Sequence, residues 1–162
     1  MEEVRLTYKV KKYRKQYVVV IEAKSFNSLS EAKEFIESVF KKAKKESKPI
    51  NGVIHFAGLK SVAESVMNPL KYWENNFIGS FNLIKSMSEN NCRTIVFSSS
   101  ATIYGTTNQK LFQEDTEINP SNPYGETKAT IEKILKTKHD VSSEPISLTS
   151  GDTLCSVSYT HL

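Results

Sequence analysis

Apolar residues along this chain fall into short unbroken runs separated by longer stretches of helical spacing. Tyr17-Val18-Val19-Val20-Ile21 is continuous and mostly β-branched, the pattern of a strand buried on both faces. Ala32, Phe35, Ile36, Val39, Phe40 and Ala43 then recur at helical intervals, with Lys33, Lys41, Lys44 and Lys45 on the polar side. Ser28 and Glu31 have capping-box spacing at the start of this helix, and Pro49 and Gly52 mark its end. Val53-Ile54-His55-Phe56-Ala57 reads as a second buried strand, stopped by Gly58. A long helix is predicted after Asn68-Pro69, capped by Asn68, with Leu70, Trp73, Phe77, Phe81 and Ile84 as its apolar face. Gly79 in its middle implies close packing against a neighbour. Thr94-Ile95-Val96-Phe97 is a third buried strand. A loop from Gly105 to Pro123 leads to a helix over 124–138, with Ala129, Ile131, Ile134 and Leu135 apolar. Such alternation predicts an α/β fold whose parallel sheet is covered on both faces.

The 162 residues suit one domain with a real core. No apolar run approaches a membrane span, and Met1-Glu2-Glu3 does not open a secretory signal. Cys92 and Cys155 lack Cys-x-x-Cys spacing, and His139 and His161 have no partner at ligand spacing. No disulfide framework or metal site is expected, and the cytoplasm is the default location. His55 reads as a satisfied core histidine. The net charge of +4 is too mild to argue for nucleic acid. Tyr8 to Tyr17, with Lys9, Lys11, Lys12, Arg14 and Lys15 around Tyr13, therefore reads as a solvated edge rather than a nucleic-acid surface. Glu114, Asp115 and Glu117 read as a solvated acidic loop.

Open parallel sheets bind ligands at the carboxyl ends of their strands. Gly58 and Lys60 follow the second strand, and Ser98, Ser99 and Ser100 end the third. Tyr124 and Lys128 stand at i and i+4, on one face at the start of the last helix. A free phenol titrates at about 10. An ammonium within ~4–6 Å lowers that by ~1–3 units, toward the range a general base needs at neutral pH. A serine hydroxyl at the strand end would bond the same substrate oxygen and steady its developing charge. The Tyr-x-x-x-Lys pair alone is weak. Its place after a buried strand ending in three serines makes it specific.

Val53-Ile54-His55-Phe56-Ala57-Gly58-Leu59-Lys60 is followed by Glu64-Ser65, Pro69-Leu70 and Asn75-Asn76. Phe97-Ser98-Ser99-Ser100-Ala101-Thr102-Ile103-Tyr104-Gly105 and Asn122-Pro123-Tyr124-Gly125-Glu126-Thr127-Lys128 come next. In order and spacing, the stretch from Val53 to Leu135 resembles the extended short-chain dehydrogenases/reductases, and within them the UDP-glucose 4-epimerases. The resemblance implies a Rossmann-like, doubly wound parallel sheet over 1–141, and NAD as a recycled cofactor. It implies Tyr124 as catalytic base, Lys128 as holder of the cofactor ribose, and Ser100 as the group on the reacting hydroxyl. Phe56, Ala57, Gly58, Lys60, Asn75, Ser98, Tyr124 and Lys128 match cofactor-lining positions. Lys60, Ser100 and Tyr124 match substrate contacts. The implied substrate is a UDP-sugar, inverted at C4 through a 4-keto intermediate. A homodimer is expected of the full-length family, with no membrane or nucleic-acid partner.

Three departures bear on this reading. The sister 4,6-dehydratases carry an Asp-Glu pair where this chain has Ala101-Thr102, and those residues cannot serve as the extra acid and base of water elimination. The family's opening strand, glycine-rich turn and helix have no match, because the first glycine is Gly52. Weak NAD binding by this polypeptide alone is the expectation. After Leu135 the family's next strand, Asn-bearing loop and substrate domain are not recognisable, and 142–162 reads as an irregular tail foreign to the family. An inactive fragment, or a related NAD-dependent sugar-nucleotide epimerase or reductase, are the alternatives.

Overall fold

The computed structural model describes residues 7–13, 16–22, 28–106, 112–113, 115–140 and 157–161. Strands β1 (Thr7–Tyr13) and β2 (Gln16–Glu22) form an antiparallel hairpin. Helix α1 (Leu29–Lys45) leads to β3 (Ile50–His55). Then come α2 (Val62–Met67), α3 (Pro69–Tyr72), a π-helical stretch over Trp73–Ile78 and α4 (Gly79–Glu89). Strand β4 (Thr94–Ser98), a 3-10 turn over Ala101–Tyr104, α5 (Pro123–Asp140) and β5 (Val157–His161) complete the order.

The sheet runs β1-β2-β3-β4-β5. Its centre, β2-β3-β4, is parallel, as the alternating pattern requires. Both edges are antiparallel, so the expected parallel sheet is in fact mixed. At one edge the basic segment forms β1, whose Lys11 and Lys12 are exposed; Lys12 Nζ lies 5.9 Å from the Tyr17 ring centroid. Arg14 and Lys15 lie outside the described residues. At the other edge, 157–161 of the segment read as irregular pair with β4. The expected division after 141 lies outside the described residues, as does Glu114.

The core has one fully buried sheet face. Val19, Ile21, Val53, Ile95 and Phe97 pack with Ile36, Val39, Phe40 and Ala43 of α1, Leu83, Ile84 and Met87 of α4, and Ile131 and Leu135 of α5. Fully burying each such aliphatic or aromatic side chain contributes roughly 1.5–3 kcal/mol. The reverse face, with Val18, Val20, Ile54 and Val96, is only half buried among the described residues, where burial on both faces was expected. Strand β3 starts three residues earlier than the apolar run suggests, so Gly52 is a strand residue against Thr94 rather than a helix stop.

Local chemistry fixes the helix ends. The Ser28 hydroxyl accepts the Glu31 N–H at 3.2 Å and starts α1. Ser47, at φ 54, ends it: the Lys48 N–H returns to the Ala43 carbonyl at 2.9 Å. Asn91, at φ 56, ends α4 the same way, with the Cys92 N–H on the Met87 carbonyl. Asn68 makes no side-chain cap at α3, contrary to expectation. The predicted apolar face of the long helix holds only at its end, where Ile84 is buried. Leu70 and Phe81 are exposed and Trp73 and Phe77 half buried, while Tyr72, Asn76, Ser80, Leu83 and Met87 are buried. A π-helical turn holds more residues than an α turn and rotates the helix beyond it, so one periodicity cannot describe both halves. Among the described residues nothing lies within 4 Å of a Cβ added at Gly79, so they do not supply the close packing inferred for it.

Candidate active site

The carboxyl end of β3 opens into an extended loop. Phe56 is half exposed and Lys60 exposed, with Ala57, Gly58 and Leu59 partly buried between them. Gly58 has φ +150, where an L side chain is strained. A Cβ there would lie 3.2 Å from Asn76 Oδ1 and 3.6 Å from Lys128 Nζ. The missing side chain lets helix and loop groups converge on one backbone position.

Asn76 holds that loop. Its Oδ1 accepts the Leu59 N–H at 2.8 Å, and its Nδ2 donates to the Leu59 carbonyl at 2.9 Å. The same Nδ2 reaches Thr127 Oγ1 of α5 at 3.5 Å. Asn76 sits in the π-helical stretch, on the buried side of the helix with Tyr72 and Ser80. Behind it, the Ser80 hydroxyl donates to the Asn76 carbonyl at 2.5 Å, and His55 Nε2 meets Ser80 Oγ at 2.8 Å. Ser80 has spent its one hydrogen, so His55 is the donor and carries its proton on Nε2.

The carboxyl end of β4 meets the first turn of α5. Asn122 Oδ1 accepts the Gly125 N–H at 2.9 Å and caps the helix, with Pro123 at its first position. A Cβ at Gly125 would lie 2.6 Å from the Thr102 carbonyl oxygen, so glycine permits the close seat of α5 on the 3-10 turn. Lys128 Nζ donates to the Ser98 carbonyl at 2.9 Å. It also lies 4.7 Å from the Phe97 ring centroid and 6.0 Å from that of Tyr124. The Ser100 hydroxyl oxygen accepts the Thr102 N–H at 3.3 Å and the Thr102 hydroxyl at 3.0 Å, which leaves its own hydrogen to donate outward.

Burial sets the charges. Lys128 is 4% exposed, and loss of water pulls its ammonium down to about 8, against a smaller upward pull from Glu132. His55 is pushed down to about 3 by burial first and by the Lys128 charge second, so it is neutral at any ordinary pH. Its buried Nδ1 has no partner among the described residues, so within them the histidine is only half satisfied. The buried Ser99 hydroxyl, too, has no hydrogen-bond partner among the described residues.

Ser98, Ser100, Tyr124, Lys128 and Gly58 thus gather where β3, β4 and α5 meet. Phe56, Ala57 and Lys60 lie on the same loop as Gly58. Asn75 is half buried and turns back to the Lys71 carbonyl of its own helix, at 2.8 Å. The residue that ties loop to helix is its neighbour Asn76, which the sequence pattern does not single out. Nor does it single out Thr127, fully buried, or Tyr72, whose ring packs edge-on to Tyr124 at 6.3 Å. The signal the sequence holds for Asn76 is its place in the Asn75-Asn76 pair that carries the family resemblance.

A family profile described as GDP-mannose 4,6 dehydratase matches residues 29–150, most of the chain. The chain belongs to this family. A bifunctional UDP-glucose 4-epimerase and UDP-xylose 4-epimerase of Pisum sativum is 45% identical over 104 residues, 64% of this chain and 28% of that protein. The UDP-glucose 4-epimerase of Bacillus subtilis is 46% identical over 112 residues, 69% of this chain and 32% of its own. A solved UDP-glucose 4-epimerase superposes with a TM-score of 0.63 at 37% identity, over 72% of this chain and 33% of that one. The Bifidobacterium longum enzyme, crystallised with NAD+ and UDP, gives 0.61 at 39% identity, over 70% and 32%. The chain therefore spans under a third of the length of these curated relatives. The expected Rossmann-like epimerase relationship holds for its core, with no helix among the described residues long and apolar enough to cross a membrane.

Proposed function

We propose that this chain carries the catalytic core of an NAD-dependent UDP-hexose 4-epimerase. The observation that carries the reading is the 2.9 Å bond from Lys128 Nζ to the Ser98 carbonyl, which draws the Tyr124 turn over the strand end that leads into Ser100. Tyr124 takes the proton of the C4 hydroxyl and later returns one to the same oxygen. Ser100 donates its remaining hydrogen to that oxygen as charge develops. The Lys128 ammonium, beside the Tyr124 ring, favours the negative charge left on the phenol.

The residues present fit NAD at the end where it reacts. Gly58 leaves bare backbone next to Lys128, and Lys128 spends one of three N–H groups on Ser98. Phe56, Ala57, Gly58, Lys60, Asn75, Ser98, Tyr124 and Lys128 would hold it. When bound, NAD supplies hydride acceptance and return at C4, so no net redox change results. Ala101 is exposed and Thr102 is bonded to Ser100, which supports epimerisation over dehydration, because neither supplies an acid or base. The buried thiol of Cys92 is in keeping with a reducing cytoplasm. The homodimer of the full-length enzyme fits the exposed apolar Val66, Met67, Leu70 and Phe81.

A chimera tests the reading. Residues 29–140 replace the matching segment of a complete relative, and the product from UDP-galactose with NAD is identified by proton NMR. UDP-glucose is expected; a 4-keto-6-deoxyhexose would assign dehydration instead.

A further inference from the structure

Among the described residues Tyr72 is the largest fully buried side chain, at 0% exposure. It is anchored at its far end. Its hydroxyl accepts the Ser61 N–H at 3.0 Å and donates to Glu64 Oε2 at 3.1 Å. Glu64 is in turn held by Lys71 Nζ at 2.6 Å. Burial, and then the bond to Glu64, keep this phenol above its ordinary range, so it stays a donor. Its ring packs edge-on to Tyr124, with centroids 6.3 Å apart and planes at 77°. That geometry is favoured by the ring quadrupoles.

Tyr124 stands in the first turn of α5, where the helix fixes its backbone but not its ring. The ring has two rotatable bonds, and it meets the Tyr72 ring and the Lys128 ammonium. We propose that Tyr72 is a positioning residue for Tyr124, aiming its phenol at the substrate oxygen and coupling that aim to the loop after β3 through Ser61. The proposal rests on the reading of Tyr124 as the base. Ser61 directly follows Lys60, so one side chain registers the cofactor-side loop against the proposed base. Any buried phenol needs partners for its hydroxyl; here those partners are the Ser61 backbone of the loop after β3 and Glu64 of α2, so the bonds also tie the ring to that loop.

The test uses the full chain with 13C-labelled tyrosine rings, without cofactor or substrate. The Tyr124 signal is assigned by its loss in Tyr124→Phe. Tyr72→Phe keeps the ring and removes both hydroxyl bonds. It should speed hydrogen exchange at the Ser61 amide roughly tenfold and lower the ring order of Tyr124, leaving that of Tyr104 unchanged. Tyr72→Leu should lower Tyr124 order further. Unchanged Tyr124 order in Tyr72→Phe overturns the proposal, as does an equal fall at Tyr104. If Tyr72→Leu does not fold, the isosteric Tyr72→Phe decides. Ring order is read without turnover, so this result is separate from whether Tyr124→Phe abolishes catalysis.

Discussion

The side-chain amide of Asn76 meets the backbone of Leu59 in both directions, accepting at 2.8 Å and donating at 2.9 Å. Together with the contact of the same amide to Thr127, this pair gives the loop after β3 a fixed place relative to α5. Asn76→Ala leaves the Leu59 N–H and carbonyl unpaired in a partly buried place. It should cost about 3 kcal/mol, from roughly 1–3 per orphaned group. Urea unfolding measures the loss, and faster Leu59 amide exchange locates it.

Lys128 is held at a cost. Its folded value of about 8 lies below the ordinary 10.5, so the unfolded chain binds more protons between those values. By linkage, stability rises with pH across that window, and the full penalty stands below about pH 8. Its size is about 3 kcal/mol at 1.36 kcal/mol per unit. Lys128→Met should therefore stabilise the ligand-free chain near neutrality. It should also remove the rise between pH 8 and 10.5 that a wild-type denaturation series shows.

His55 has the same sign at lower pH. Its folded value of about 3 lies below the ordinary 6.5, so stability falls as the solution is acidified through that interval. 15N NMR should show a neutral ring with its proton on Nε2 at about pH 5. His55→Gln should flatten the pH dependence of stability between 3 and 6.5.

Gly79 has ordinary helical angles, φ −57 and ψ −49, and open space around it. Gly79→Ala should stabilise the chain by about 1 kcal/mol through helix propensity alone. A shifted urea midpoint with unchanged slope is the expected result.

The central strands and the flanking helices were legible in the sequence because their apolar patterns are strong and local. Tyr124, Lys128 and Ser100 were legible because their spacing places them at strand and helix ends. Asn76 and Tyr72 were not, because the π-helical turn breaks the repeat that assigns faces. The antiparallel edges were hidden for another reason. The strand Thr7–Tyr13 alternates apolar and charged residues only over Tyr8-Lys9-Val10-Lys11, too short a stretch among so many lysines to announce a strand, and it pairs along the edge that β2 offers. Half of His55's bonding was legible from its place in a buried run; its unpartnered Nδ1 depends on which side chains surround it.

The most direct test is Tyr124→Phe in the chimera carrying residues 29–140, assayed for conversion of UDP-galactose to UDP-glucose. The variant keeps the ring against Tyr72 and removes only the hydroxyl. Turnover should fall by ~10²–10⁴-fold or more while circular dichroism and the thermal midpoint stay close to the parent. Turnover within a few-fold of the parent would contradict Tyr124 as the base and with it the epimerase assignment of this site.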